Sequence, residues 1–227
     1  MRIGVIGAMQ MEVDNLKAVM EDVTTETYSG VEFVSGKYAS KDVVVAKCGI
    51  GKVFAAICAE AMILKFDVDK IINIGVAGSL TKDLGVLDVA VANNVVQHDM
   101  DTSPLGDPVG LLSGINMVTL DADKDMNVLL CDCLSDKGIK FKKGTIATGD
   151  QFVATKEQKD RITGMFDAIA AEMEGGSIGH VCYINNIPFA ILRSISDSEG
   201  GVIDYQTFAE KAADQSIEVV KEFIARV

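Results

Sequence analysis

Carboxylates stand where apolar runs end in three separate parts of this sequence. The stretch AIAAEMEGGSIGHV (168–181) closes its apolar run on Glu172-Met173-Glu174 and passes straight into two glycines. A carboxylate that is desolvated without a partner costs several kcal/mol. Such a pair therefore marks either an exposed edge or a place where charge is used. Glu12 follows the opening run MRIGVIGAMQM, and Asp197 ends FAILRSIS, with Arg193 and Ser196 just before it. Taken singly, each of these fits a helix cap or a rim charge, because acids favour helix N-termini. Taken together, beside glycines that let a ligand approach the backbone, they point to acid–base chemistry by carboxylates with one arginine to steer it. Glu172 and Glu174 divide the work. Glu174, next to Gly175 and Gly176, is expected to project into a cleft, and Glu172 to make a structural salt bridge or cap neighbouring backbone.

Other chemistries find little material. There are two histidines, His98 and His180, the second inside the apolar SIGHVCYI. A Ser-His-Asp hydrolase or a histidine-rich metal site has nothing to build on, so no metal or cofactor is expected. GIGKVFA, from Gly49, resembles a dinucleotide fingerprint but carries Phe54 at the third glycine position. It also lacks the acidic residue about 20 positions on that would hold a ribose. As a phosphate loop it fails too, since Lys52 is followed by Val53 rather than Ser or Thr. GVAG (Gly75 to Gly78) suits close backbone approach to a flat or ribosyl ligand.

These residues must be placed by regular elements, and the chain alternates short β-rich runs with amphipathic ones. Strands are expected at RIGVIGA, VEFVSGKYA, DVVVAKCG, KIINIGVAG, DVAVANNVVQHD, FKKGTIATG, DAIAAEME and FAILRSIS. Helices are expected at MEVDNLKAVMED, KVFAAICAEAMILKF, DMNVLLCDCLSDKG, KEQKDRITGMF, GGSIGHVCYINN and YQTFAEKAADQSIEVVKEFIARV. Such alternation gives an α/β sheet covered by helices, and in open sheets of this kind ligands bind outside the carboxyl ends of the strands. No linker, repeat or composition break divides the 227 residues, so one domain over 1–227 is expected.

With 21 basic against 33 acidic residues the net charge is −12, which argues against nucleic acid or an anionic membrane as partner. No run reaches the ~18 apolar residues of a membrane span, and the N-terminus lacks a signal-peptide pattern; a cytoplasmic location is the expectation. The five cysteines, 48% hydrophobic composition and apolar surroundings read as reduced core thiols.

IGVIGAMQMEVDNL, KCGIGKVFAA, INIGVAGSL, AAEMEGGSIGHVC and RSISD, in this order, resemble the bacterial 5′-methylthioadenosine/S-adenosylhomocysteine nucleosidases of the purine nucleoside phosphorylase superfamily. The likeness runs over nearly the whole chain. It implies a single-domain, three-layer α/β fold with a central twisted mixed sheet flanked by helices, a nucleoside substrate, no cofactor, and a homodimer. It further implies that Glu12 activates a water, assisted by Arg193, and that Asp197, oriented by Ser196, protonates purine N7. Glu174 takes the ribose hydroxyls with Met173 packed beside the sugar. Phe152 stacks on adenine and the Val153 backbone reads the base edge. Met9, Ile50 and Phe208 line the 5′-alkylthio side, and Ala77 and Gly78 lie along the ligand. This division suits glycosidic hydrolysis, in which one carboxylic acid protonates the leaving group and a second carboxylate activates water on the opposite face.

Two departures stand out. Val76 occupies a position where the family usually has a small hydroxyl residue. The loop QHDMDTSPLGDPVG offers Leu105, Pro108 and Val109 where many relatives bring aromatic residues over the partner's 5′ group. Other readings keep the same residues: a phosphate-dependent purine nucleoside phosphorylase, an aminodeoxyfutalosine hydrolase, or a non-catalytic nucleoside-binding protein.

Overall fold

The computed structural model describes residues 1–197 and 202–227, with side chains described up to 197 and from 205 onward. Ten strands form one mixed sheet. They are β1 (Arg2–Gly7), β2 (Glu21–Tyr28), β3 (Val31–Tyr38), β4 (Lys41–Lys47), β5 (Lys70–Ser79), β6 (Val89–Gln97), β7 (Thr119–Asp121), β8 (Phe141–Thr148), β9 (Ala168–Glu172) and β10 (Phe189–Asp197). The helices are α1 (Asp14–Lys17), α2 (Lys52–Phe66), α3 (Lys124–Asp136), α4 (Lys156–Phe166), α5 (Gly175–Asn185) and α6 (Val202–Arg226).

The strand order is β10-β6-β8-β9-β5-β1-β4-β3-β2, with β7 added beside β6. β10 pairs with β5 as well as with β6, so β5, β9, β8, β6 and β10 close on themselves while β1 to β4 extend the sheet outward. The expected mixed sheet flanked by helices is present, but it is partly closed rather than open throughout. Closure brings the ends of β5, β9 and β10 around one space.

Period-two alternation sorts the side chains. Ile72 and Ile74 of β5, with Ala190 and Leu192 of β10, face α1, α3 and α6 through Leu16, Leu130, Ile217 and Phe223. Ile71 and Ile191 face α2 and α5 through Met62, Ala59, Ile178 and Cys182. Two apolar layers therefore enclose the sheet. All five cysteines are free thiols.

Most elements fall where the hydrophobic periods place them, and α4 matches its expected span, fixed by a Thr155–Gln158 capping box. The helix expected over 11–22 does not form as such. Gln10–Glu12 is a single 3-10 turn, α1 lasts four residues, and β2 begins at Glu21. Val13, Leu16 and Met20 do bury at helical spacing. Beyond them, however, Thr24 to Tyr28 pair antiparallel with β3 as an exposed edge strand. β-branched residues suit that strand, and its pairing overrides a helical signal of marginal length. α2 buries one face at helical spacing, through Ala55, Cys58, Ala59, Met62 and Phe66, while Val53, Phe54 and Leu64 on its outer side are apolar and exposed.

Candidate active site

Glu12 ends the 3-10 turn directly after β1, which throws its side chain back over the strand end. Its Oε2 accepts from the backbone amides of Ala8 at 2.6 Å and Met9 at 2.9 Å, and its Oε1 from that of Val76 at 3.2 Å. Burial raises its pKa, opposed by the Arg193 charge and by those three amides. The hydroxyl that Val76 lacks is thus not needed to hold Glu12; the main chain of that residue does so. The Val76 side chain instead packs against Ala212 and Ala213 of α6.

Arg193 projects from β10 and is 1% exposed. Its Nη2 is shared by Glu172, by Asn73 Oδ1 at 2.5 Å and by Glu174 Oε2 at 3.4 Å. Gly75 makes room for this cluster: a Cβ there would lie 2.3 Å from Arg193 Nη1 and 2.7 Å from Glu12 Oε1, at a backbone φ of +151°. Only glycine tolerates both the crowding and the dihedral.

The two glutamates of EMEGG do separate tasks. Glu172, the last residue of β9, accepts from the Glu174 amide at 3.0 Å and the Gly175 amide at 2.7 Å, and from Thr148 and Arg193. It is a structural anchor. Glu174 precedes α5 and lines the cleft; its Oε1 accepts from the Gly51 amide at 2.9 Å. Burial pushes its pKa up to about 7; Arg193 and the Gly51 amide pull against this, while the charges of Glu172 and Glu12 add to it. Asp197 ends β10, 2% exposed, with the Ser196 hydroxyl donating to its Oδ1 at 3.1 Å. It leans over Gly78, where a Cβ would meet its Oδ2 at 3.0 Å.

Glu12 packs on Gly75 and Asp197 on Gly78, three residues apart on β5, which is roughly 10 Å of extended chain. Both carboxylates line one open cleft. Met9 and Ile50 stand in its wall, as do Phe152 and Val153 on the loop after β8. Ala77, Gly78 and Met173 border it, with Arg193 and Ser196 behind the acids. Phe208 does not line the cleft. Its place is taken by Tyr205, one turn earlier on α6, whose ring stands at 83° to that of Phe152 with centroids 5.6 Å apart. The Tyr205 hydroxyl donates to Met9 Sδ at 3.3 Å.

Asn73 and Tyr205 escape a reading of the sequence. Asn73 is a lone polar residue in the apolar IINIG, and that isolation is its one signal. Tyr205 shares a helix face with Phe208, three residues on, so periodicity names the face without choosing the turn. Both histidines lie outside the cleft lining. Among the described residues no cluster of three or more His, Cys, Asp or Glu is arranged to hold a metal, and no helix is long and apolar enough to cross a membrane.

The model of the phosphorylase superfamily matches residues 2–225. The chain belongs to the phosphorylase superfamily. Within that superfamily it is 37% identical over 226 residues to the aminodeoxyfutalosine nucleosidase of Helicobacter pylori, covering 98% of this chain and 97% of the relative. It is 35% identical over 231 residues to the 5′-methylthioadenosine/S-adenosylhomocysteine nucleosidase of Bacillus subtilis, with full coverage of both. Among solved superfamily members, an aspartate-to-asparagine mutant of a Helicobacter pylori nucleosidase with 5′-methylthioadenosine in its active site superposes with a TM-score of 0.95. That match has 36% identity and covers 100% of this chain and 99% of the other.

Proposed function

We propose that this phosphorylase-superfamily chain is a nucleosidase that hydrolyses the N-glycosidic bond of 5′-methylthioadenosine, S-adenosylhomocysteine and 5′-deoxyadenosine, releasing adenine and the 5′-substituted ribose. The observation that carries this reading is the placement of two buried carboxylates, Glu12 and Asp197, on one cleft at opposite ends of the Gly75–Gly78 segment. Asp197 gives its proton to purine N7 as the C1′–N9 bond breaks and the bonding pair leaves with the base. Glu12 takes a proton from the water whose oxygen bonds to C1′. Protonation lets the base depart neutral, and the second carboxylate supplies the nucleophile on the other face of the sugar. Glu174 accepts the ribose hydroxyls beside Met173, and Phe152 stacks on the base while the Val153 main chain reads its edge. Met9, Ile50 and Tyr205 surround the 5′ group.

Hydrolysis is favoured over phosphorolysis by the charge of the cleft. Arg193 is the one cation among the described residues lining it, and its Nη2 already serves Glu172, Asn73 and Glu174. Glu12 and Asp197 line the same cleft, so carboxylates outnumber that cation and repel a phosphate dianion where it would need a nest of donors. The test is adenine release from 5′-methylthioadenosine with and without phosphate. Phosphate-independent release is expected, lost in both Asp197→Asn and Glu12→Gln; an absolute phosphate requirement, or near-normal kcat in either variant, overturns the reading. A second substrate, aminodeoxyfutalosine, is favoured by the 37% identity to a nucleosidase of that name. The bond broken is of the same kind, and comparing kcat/KM for the two substrates ranks them.

The whole of 1–227 acts as one domain in this reading, in the cytoplasm and in methionine salvage, and pairs with a second copy. Support for pairing comes from α2 and α5, which pack together and expose Val53 at 69%, Phe54 at 56%, Leu64 at 63% and Ile184 at 58%. Large apolar residues left exposed on two adjoining helices are what an interaction face would present.

A further inference from the structure

Lys52, the residue that makes GIGK look like a phosphate loop, spends its charge elsewhere. Its Nζ donates to Asp99 Oδ1 at 2.6 Å. Asp99 Oδ2 accepts from the Asp150 amide at 2.8 Å, and Asp150 Oδ1 accepts from the Lys52 amide at 2.8 Å. The three residues therefore close a ring. They come from separate parts of the chain: Lys52 opens α2, Asp99 lies on the loop after β6 and Asp150 on the loop after β8. The Lys52 and Asp99 side chains are 18% and 15% exposed, so the pair is shielded from solvent more than a surface bridge is. Although burial works to raise the Asp99 pKa, the Lys52 hydrogen bond, the Asp150 amide and the nearby Lys52 and His98 charges bring it below its ordinary value.

None of the three lines the cleft, yet each is a short step from a residue that does. Gly51, whose amide donates to Glu174 Oε1 at 2.9 Å, immediately precedes Lys52. Phe152 and Val153 follow Asp150 by two and three residues. Gly51 itself lies against the ring: its φ is +99°, and a Cβ there would meet Asp150 Oδ1 at 3.0 Å. We infer that Lys52, Asp99 and Asp150 are positioning residues for substrate binding, holding the Gly51 amide on Glu174 and the Phe152 loop over the base end at a fixed separation. Ribose and base subsites come from loops distant in sequence, and small misplacements of binding groups are costly to a reaction that depends on geometry. The ring supplies the cross-link that neither loop has within itself. The inference rests on the nucleosidase reading for its kinetic consequence but not for its structural one.

The test compares Lys52→Met, Asp99→Asn, the double variant and Lys52→Arg, with 5′-methylthioadenosine as substrate. Each disruptive single change is expected to raise KM about tenfold, with kcat changing far less. The double variant should be no worse than the worse single, because opening the ring once opens it fully. Lys52→Arg, which keeps the charge and the donor, should stay within about twofold of the parent. Hydrogen exchange gives a readout independent of turnover: the Gly51 and Asp150 amides should exchange faster in Lys52→Met, although that substitution removes no acceptor from either. KM unchanged in folded single variants, or effects that multiply in the double, overturns the inference. Should the parent protein release no adenine from any nucleoside, the nucleosidase reading falls, and the ring is judged by exchange. Unaltered exchange at Gly51 and Asp150 in Lys52→Met then overturns it.

Discussion

Three glutamates crowd one guanidinium at this site, and the electrostatics of each follows from how it is held. Glu172 is anchored by two amides, Thr148 and Arg193. Glu174 is desolvated with less compensation, so its pKa rises to about 7. The sign matters for both stability and function. A raised folded-state pKa means that folding favours the protonated acid. Stability from this group is therefore full below the ordinary carboxylate value and is lost as pH climbs to about 7. Accepting two ribose hydroxyls needs the ionised form, so activity runs the other way. We expect kcat/KM to rise as pH climbs toward about 7, reporting the free enzyme's carboxylates. Glu12, also raised by burial, adds to the same limb. A pH–rate profile that falls over this interval would contradict the assignment of Glu174 as an acceptor. At this scale the sequence is informative, because a charge at the end of an apolar run has few other reasons to be there. It is silent on Asn73, whose partner Arg193 lies 120 residues away.

β5 is the element on which the site is built. It pairs with β1, β9 and β10, so its last residues carry Glu12 over Gly75 and Asp197 over Gly78. Gly75→Ala tests this directly. The added methyl would sit 2.3 Å from Arg193 Nη1 at a φ of +151°, where a non-glycine residue costs on the order of 1–3 kcal/mol. A lower Tm and loss of adenine release are expected together; a variant with parental Tm and rate would refute the packing described for β5. Periodicity located β5, β10 and the long helices because each buries a regular face. It failed at 11–22, where Val13, Leu16 and Met20 bury at helical spacing yet the chain turns into β2. Local pattern records which residues are buried, whereas the competition between a short helix and an edge strand is decided by β3, the neighbour already in place.

The whole molecule adds surfaces to these parts. Among the described residues, Val53, Phe54 and Leu64 on the outer side of α2 are exposed and belong to none of the core clusters, and a second copy is the occupant proposed for that side. Phe54→Asp should shift the protein toward monomer, raising the dissociation constant by about a hundredfold if Phe54 is a central anchor. Sedimentation velocity across a dilution series checks this, and an unchanged mass distribution would remove α2 from the interface. Sequence by itself determined the α/β class, the sheet-covering helices and the acids that gather at strand ends. These follow from burial periods of two and 3.6 residues and from the cost of desolvating charge, all of which are written locally. Only the tertiary structure decided that β10 closes back on β5, that Tyr205 rather than Phe208 faces the cleft, and that Lys52 answers Asp99 rather than a phosphate. Those outcomes depend on which distant segments come to lie side by side, and contacts between segments far apart in the chain leave no periodic trace within either of them.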